Sequence, residues 1–496
     1  MTKKKKNKKN TKRNIILIIL LIILIIFLSL PLTKNKNILF TQDKKYFTGE
    51  LLSPNFSANL LDSLKAKENV AISPYNYISS LAILYNGSDN NTSKELKKYL
   101  KKDINSLDDL IIPTLNELSN NPKYDSTISS YYETIIYNIN SNNYNEFTLK
   151  DIQNLSSNPK KDLLLELTKA KMTYELMNGN NLYDLSYIKN YTLTKEDQAL
   201  NDYDIYNLLT LVIENYSSYQ TKNIIQNNNI ILYNKNNISI TKEYQKTISK
   251  YSLSIINYDD KTDIKLLNEQ LKQQTYYSFY LDEDILNNNN FILLNSLYIE
   301  YNFAEEFDYK NTTDSDFYPF NSDKILVPTM FSTVDTYLEN YYAYGIVKPF
   351  QNNKYSFIAI LPKEEGDFEL SNLSLDSLLK NEKKKKIYYS LPKFSYSQDI
   401  DLISVLKNNN LNDLISNKSN LSIISDDPIS INYYHQKINF QIGEKGTKDS
   451  SYNSKSSTKP SNHDKLISFN RPFAYLIIDN STNNVLLIGK VTNPLK

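Results

Sequence analysis

Three polar residues of this 496-residue chain stand inside apolar runs, and their types could in principle support catalysis. They are Ser73, Asn295 and His435. A serine beside a histidine can act as nucleophile and base in acyl transfer. Ser73, however, does not lie in the Gly-x-Ser-x-Gly turn that exposes a nucleophile, and no acidic residue stands out as an orienting partner for His435. We therefore interpret the three as a buried structural cluster whose polar groups need hydrogen-bond partners, and we do not expect an enzyme.

The composition gives little support for cofactor chemistry. The chain has no cysteine, and its only other histidine, His463, lies in a polar stretch, so a zinc site is not expected. It has eight glycines and no glycine-rich phosphate loop. We predict neither a metal nor a cofactor.

The distribution of charge argues against a nucleic-acid-binding protein. Residues 1–13 contain eight Lys or Arg, which leaves 49 basic against 55 acidic residues in the rest of the chain. A nucleic-acid binder is expected to carry its positive charge on the folded part. We interpret the later run Lys383–Lys386 as a solvated turn.

An apolar segment follows the basic tail. Ile15 to Leu32 is 18 residues long, and a helix of that length, at about 1.5 Å per residue, nearly spans a bilayer core. A membrane anchor is therefore expected, with a cleaved signal peptide and a secreted protein as the alternative. Heavy use of Lys, Asn, Ile and Tyr indicates an AT-rich, bacterial genome. The predicted parts are a cytoplasmic basic tail (1–13), a transmembrane signal anchor (14–32), a linker (33–50) and an extracellular main domain (51–496).

The C-terminal region has a clear order of elements. Ile438, Phe440 and Ile442 alternate with polar residues, which is the period of a half-buried strand. Gly443–Thr447 ends this strand, and Lys448–Asp464 is nearly free of apolar residues. Apolar strands then follow from Phe469 to the end of the chain.

This order, together with earlier motifs, resembles the serpin family. The earlier motifs include Ser73-Pro74 before a helix that ends near Gly87, and the apolar run Phe291–Ile299. Leu391–Phe394 is a later match. The resemblance covers residues 51–105 and 206–496, and the stretch 106–205 between them is interpreted as a helical insertion.

The resemblance implies an α+β fold with one large, mainly antiparallel sheet, further sheets and about nine helices. It also implies a reactive loop at about residues 444–468, which a target protease would cut. The cluster of Ser73, Asn295 and His435 matches the serpin shutter, where the sheet opens. The hinge would be Glu444, Lys445, Gly446, Thr447, Lys448, Asp449, Ser450 and Ser451, and the cut would fall within Lys455, Ser456, Ser457, Thr458, Lys459, Pro460 and Ser461.

Two functions remain open at this point. One is a cell-surface inhibitor that serves a serine or cysteine protease as a suicide substrate, with the cleaved loop inserting into the main sheet. The other is a non-inhibitory protein of the same fold, with the insertion as a binding module. Lys448, Asp449 and Tyr452 favour the second function, because inhibitory serpins have small residues after the hinge and burying Asp449 unpaired would be costly.

Overall fold

The fold is known from a computed structural model, which describes the larger part of the chain. The basic tail, the predicted anchor, nearly all of the linker, most of the predicted insertion and the loop after Thr447 lie outside the described residues. In the described part, no helix is both long and apolar enough to cross a membrane. The described residues are 50–119, 191–201, 224–447 and 466–496, without 252, 276–278, 352 and 418, together with short helical pieces between 164 and 172 and between 204 and 209.

The described residues include ten α-helices whose first and last residues are defined, so the expected number of about nine is slightly too low. Three short 3-10 helices accompany them at Ser249–Tyr251, Tyr309–Asn311 and Leu370–Leu373. The α-helices are α1 (Pro54–Asp62), α2 (Pro74–Asn86), α3 (Asn90–Leu100), α4 (Ile104–Ser119), α5 (Lys195–Gln198), α6 (Lys242–Ile248), α7 (Ile264–Thr275), α8 (Glu283–Asn288), α9 (Leu375–Leu379) and α10 (Leu402–Asn408).

Fourteen strands of the described residues form two sheets. They are β1 (Val70–Ile72), β2 (Ile224–Asn234), β3 (Leu253–Tyr258), β4 (Phe291–Glu300), β5 (Thr312–Phe317), β6 (Ile325–Glu339), β7 (Ala343–Pro349), β8 (Tyr355–Pro362), β9 (Glu382–Pro392), β10 (Phe394–Asp401), β11 (Tyr433–Ile442), β12 (Leu466–Ser468), β13 (Phe473–Asp479) and β14 (Val485–Val491).

The five-stranded sheet has the strand order β10-β11-β4-β2-β3. Its β11–β4 and β2–β3 pairs are parallel and its other two pairs are antiparallel. This smaller sheet is therefore mixed, and the expected large, mainly antiparallel sheet is the nine-stranded one. The long connection permits the parallel pairing, since β11 and β4 are about 140 residues apart in sequence and are not joined by a hairpin.

The nine-stranded sheet is mainly antiparallel. Its strands follow the order β1-β14-β13-β8-β7-β6-β9-β12, with β5 paired to β6. Among these pairings only β12–β9 is parallel. An aromatic layer joins the two sheets, since the Tyr475 ring of β13 stacks 4.9 Å from the Phe440 ring of β11.

The strand β4 lies in the middle of the five-stranded sheet and is covered on both faces. Leu293, Leu297 and Ile299 belong to the main core beneath α2, whereas Ile292 and Leu294 belong to a second cluster with α7. A strand covered on both faces is expected to be almost continuously apolar, as this run is. Polar residues in such a strand therefore need partners within the protein.

The predicted insertion begins too early. Residues 106–119 lie in α4, whose residues Leu107, Ile111, Leu115 and Leu118 are buried in the main core. Their spacing of three and four residues gives one apolar face of a helix. This part of the chain is consequently a core element and not an added module.

The run Lys383–Lys386 lies in strand β9, so its interpretation as a solvated turn is wrong. Lys383 and Lys384 pair with Tyr337 and Thr336 of β6. The neighbouring β12 pairs with β9 only from Tyr388 onward, and all four lysines are exposed. Lysines on a strand edge discourage pairing with another chain, which gives this run a structural explanation.

Candidate functional site

The hinge lies at the end of β11, where the chain turns back toward β4. Gly443 and Gly446 exchange backbone hydrogen bonds, and Gly446 forms an antiparallel bridge with Asn302. The Thr447 N–H donates to the Tyr301 carbonyl oxygen (2.9 Å), and the Thr447 hydroxyl accepts from the Tyr301 N–H (2.7 Å). The first hinge residues are thus already held beside the end of β4.

Gly446 is required by the geometry of this turn. Its φ is +131°, a conformation that residues with a side chain rarely adopt. A Cβ atom at this position would lie 2.2 Å from the Tyr301 carbonyl oxygen and 3.0 Å from the Phe303 nitrogen. Both contacts are with backbone, which cannot rotate away as a flexible side chain would.

Glu444 fixes the start of the hinge through a buried ion pair. Its carboxylate lies 2.8 Å from the Lys393 ammonium and accepts a hydrogen bond of 2.9 Å from the Thr312 hydroxyl. The two charged side chains are only 8% and 14% exposed. Removing one member of a buried pair typically costs about 3–5 kcal/mol, because the other charge is left unpaired.

A polar cluster lies beneath the seam, by which we mean the parallel pairing of β4 with β11. Ser73 is buried at the N-cap of α2, where its hydroxyl accepts from the Asn76 N–H and donates to the Leu486 carbonyl oxygen. Because its hydroxyl makes both of these hydrogen bonds, Ser73 acts as a helix cap, which is a structural role. Gln436 bonds the Ser73 backbone twice, because its Oε1 accepts from the Ser73 N–H (2.7 Å) and its Nε2 donates to the Ser73 carbonyl (3.2 Å).

Asn295 of β4 belongs to the same cluster. Its Nδ2 donates to the Asn229 side chain at 2.6 Å, and its Oδ1 accepts a long hydrogen bond of 3.4 Å from the Ser80 hydroxyl. Asn295 is directly opposite Gln436 across the seam. Two buried amides therefore face each other at the centre of the sheet.

The assignment of His435 to this cluster is wrong. Its side chain lies on the opposite face of β11, where Nδ1 is 2.6 Å from the Asp399 carboxylate and the ring stacks on Tyr433. The alternation of Ile438, Phe440 and Ile442 already places even-numbered residues inside. The same period that predicts β11 therefore identifies Gln436 as the inward residue.

The outer face of β11 carries its own charge cluster. Burial raises the pKa of the Asp399 carboxyl, but the hydrogen bond with His435 and the nearby Lys437 ammonium outweigh it and lower that pKa overall. The Lys437 ammonium also lies 5.1 Å from the ring centroid of Phe279, next to α7. The Asp399 carboxylate thus stays ionised beside the His435 ring and the Lys437 ammonium.

The remaining predicted site residues lie outside the described residues. They are the second half of the hinge (Lys448, Asp449, Ser450 and Ser451) and the candidate cleavage region (Lys455, Ser456, Ser457, Thr458, Lys459, Pro460 and Ser461). In the described part of the chain, no group of three His, Cys, Asp or Glu side chains is arranged to hold a metal ion.

The fold and this site define a member of a known family. A model of the family "Serpin (serine protease inhibitor)" matches residues 52–151 and 185–494. The chain therefore belongs to the serpin family. The internal stretch without a match is 152–184, which is much shorter than the predicted insertion at 106–205.

Relatives support the same family. A serine protease inhibitor of the jellyfish Cyanea capillata is 26% identical over 271 residues, or 51% of this chain and 71% of the relative. The human plasma serine protease inhibitor is 29% identical over 249 residues, covering 48% and 60% of the two chains. Bovine serpin A3-7 is 26% identical, and the aligned part spans 59% of its length.

Solved structures agree with the fold. The native state of tengpin, a thermophilic serpin, has a TM-score of 0.59 at 21% identity, covering 89% of this chain and 93% of tengpin. Thyroxine-binding globulin in complex with thyroxine has a TM-score of 0.58 at 17% identity, covering 90% of this chain and 99% of that protein. At these identities the likeness establishes the fold alone.

Gln436 should contribute more stability than His435. Gln436→Ala leaves the buried Ser73 N–H without a partner and leaves the Ser73 carbonyl with only the Tyr77 N–H, so we expect a loss of about 2–3 kcal/mol in the free energy of unfolding. His435→Ala removes a partly exposed contact with the Asp399 carboxylate and should lower the free energy of unfolding by at most about 1 kcal/mol. Urea unfolding of both variants measures the difference. An equal or larger loss for His435→Ala would contradict the placement of Gln436.

Gly446→Ala should disturb the hinge more than a matched glycine substitution elsewhere. Gly366 provides the control, because its φ is also positive (+110°) but an added Cβ would meet only Phe320 at 3.8 Å. Gly366→Ala should show the backbone strain alone, about 1 kcal/mol. Gly446→Ala should lower the melting temperature further and speed proteolysis after Thr447. Equal effects of the two substitutions would show that the hinge is not held against Tyr301.

Proposed function

We propose that this serpin inhibits a protease by acting as its suicide substrate. The protease nucleophile would attack a peptide carbonyl in the loop after Thr447, release the new amino terminus and remain as an ester or thioester. The loop, still attached to the hinge, would then enter the seam as a new strand and carry the acylated enzyme with it. The observation that supports this proposal is the pairing of Gly446 and Thr447 with the end of β4.

The backbone pairing of the hinge gives the register that such an insertion would follow if the pairing continued. Continuing the Gly446–Asn302 pairing would place Asp449 opposite Ile299 and Asn453 opposite Asn295. Continuing the Gly443–Gly446 pairing along β11 would place the same two residues opposite Phe440 and Gln436. The two pairings, with β4 and with β11, predict the same register, because β4 and β11 are themselves paired with Asn295 opposite Gln436.

The centre of the seam suits the loop sequence. Inserted, Asn453 would lie between the buried amides of Asn295 and Gln436, which can donate to and accept from its own amide. The Asn76 Oδ1 atom is also buried there without a hydrogen-bond partner. A polar side chain at position 453 would thus enter a polar environment and not an apolar one.

Asp449 is the residue that opposes insertion, and it supports a second candidate function. Its carboxylate would lie between Ile299 and Phe440, which offer neither a cation nor a donor. Burying an unpaired carboxylate costs several kcal/mol unless it binds a proton. A protein with this loop could therefore keep the serpin fold while serving only as a binding protein.

We also propose that the inhibitor acts outside a bacterial cell, with residues 14–32 as its membrane anchor. The support is the sequence of a basic tail followed by an apolar stretch of membrane-spanning length. The partner would be a serine or cysteine protease that cuts an exposed, polar loop. Lys455 is a suitable cleavage site for a trypsin-like enzyme, whereas Pro460 should block cleavage after Lys459.

Incubation with a panel of serine and cysteine proteases tests inhibition. We expect a protease–serpin complex that survives denaturing detergent, together with some cleaved, unbound serpin because Asp449 slows insertion. Asp449→Ala should raise the fraction of protease trapped, and it should enlarge the increase in melting temperature that follows loop cleavage. The measurement is the ratio of complex to cleaved product on denaturing gels.

Lys448→Ala is the matched control for this experiment. Lys448 would point to the other face, opposite Glu300, so its removal should change the ratio little. Cleavage without complex, and without any rise in melting temperature in wild-type protein and Asp449→Ala, would refute inhibition and favour the binding protein.

The location can be checked on intact cells that express the full chain. Added protease should degrade the main domain and leave only a short fragment that contains residues 1–32. Deleting residues 14–32 should move the protein from the membrane fraction to the soluble fraction. Full protection of the main domain in intact cells, lost when the cells are lysed, would show the opposite topology.

A further inference from the structure

Lys348 is a buried cation that no carboxylate neutralises. It lies on β7 and is 6% exposed, and it makes no ion pair with any residue of the described part of the chain. Its ammonium donates one hydrogen bond to the Glu305 carbonyl oxygen. It also lies 5.0 Å from the ring centroid of Phe303 and 4.4 Å from that of Phe307. A buried charge with so few partners destabilises the state in which it is buried.

The turn that covers Lys348 is the same turn that holds the hinge. On one side of the turn, the Ala304 N–H donates to the Pro349 carbonyl oxygen (2.9 Å). On the other side, the Phe303 N–H donates to the Lys445 carbonyl (2.7 Å) and the Phe307 N–H donates to the Glu444 carbonyl (2.9 Å). Residues 302–307, which we call the bridging turn, therefore connect Lys348 directly to the hinge.

We propose that Lys348 is a proton-controlled release for the hinge, in which the charged lysine favours opening of the bridging turn and the neutral lysine keeps it closed. Opening would expose the ammonium to water and free the carbonyls of Glu444 and Lys445 at the same time. The regulatory meaning of this device rests on the proposed inhibition, whereas the opening itself does not.

The direction of the effect follows from where the proton binds more tightly. Burial lowers the pKa of Lys348 to about 8, and the nearby Glu305 and Glu306 only partly oppose that shift. In an open turn the lysine would be hydrated, with a pKa near 10.4. The open state therefore binds the proton more tightly than the closed state, so protonation promotes opening. As the pH rises from 8 to 10, the closed turn becomes more stable relative to the open turn.

Other charged groups near the turn do not reverse this sign. Glu305 and Glu306 belong to the turn itself and are exposed. From the hinge side, Glu444 is paired with Lys393, and from β9 the ring of Tyr389 lies 5.7 Å from the ring of Phe307. None of these groups is a carboxylate in contact with the Lys348 ammonium, so its charge is not cancelled locally.

Hydrogen exchange of the full-length protein, without any protease, tests the proposal. The quantities measured are the protection factors of the Phe303 and Phe307 amides, which already correct for base-catalysed exchange. From pH 7 to pH 9 both factors should rise about tenfold, given pKa values of 8 when closed and 10.4 when open. Lys348→Met should show high protection at both pH values, because methionine fills the space without a charge.

Two further variants make the outcome decisive. Lys348→Arg stays charged over the whole range, so its protection should be low and independent of pH. Lys310→Met removes an exposed lysine near the same turn and should behave like the wild type. A wild-type protection that does not change with pH, or a tenfold rise that persists in Lys348→Met, would overturn the proposal. Failure to trap any protease, with the pH dependence intact, would refute only the proposed inhibition.

Discussion

The parallel pairing of β4 with β11 is the contact on which the rest of the structure depends. The strand β4 is covered on both faces and β11 packs its even-numbered residues into the main core, so the two cannot part without exposing apolar surface. Their polar residues nevertheless meet at the middle, where Asn295 faces Gln436. The seam is thus apolar at its ends and polar at its centre, where the Asn295 amide bonds Asn229 and the Gln436 amide bonds the Ser73 backbone. A sheet built in this way can admit a strand whose polar residue arrives at the same level.

The charged residues at the hinge and along the proposed path of insertion differ in whether they have an ionic partner. Glu444 has Lys393 as a buried partner, Lys348 has only a carbonyl and two rings, and Asp449 would have none. The inward positions 449 and 455 carry opposite charges, but six residues of extended chain separate them by about 20 Å, too far for a direct ion pair. The hinge is therefore fixed by a paired charge, Glu444 with Lys393. The proposed release would be promoted by the unpaired charge of Lys348, and the proposed insertion would be opposed by the unpaired charge of Asp449. A cut after Ser451 or Asn453 would spare Lys455 from burial but would leave Asp449 in place.

The sequence reveals the strands of this fold better than their pairing. Alternation of apolar residues identifies β11, and the continuous apolar run identifies β4, because both patterns follow directly from which faces are covered. Whether two neighbouring strands run parallel depends on how distant parts of the chain come together. The sequences of β4 and β11 do not indicate this direction. The predicted insertion begins too early because the apolar face of α4 lies in a polar, asparagine-rich part of the sequence that has few family motifs. His435 carries the more reactive side chain, but the alternation around it indicates Gln436 as the inward residue.

The presence of Gln436 at the centre of the seam, where a histidine could have stood, also affects how the seam responds to pH. An amide cannot gain or lose a proton in the physiological range, whereas a histidine in the same place would change its charge there. The buried centre of the sheet in this chain is consequently insensitive to pH. The titratable groups near the proposed path of insertion lie instead at the hinge, through Lys348, on the outer face, through Asp399, and in the loop, through Asp449. Any response of loop insertion to pH in this protein must therefore act through the hinge, the outer face or the Asp449 carboxylate, and not through the amides between which the loop would enter.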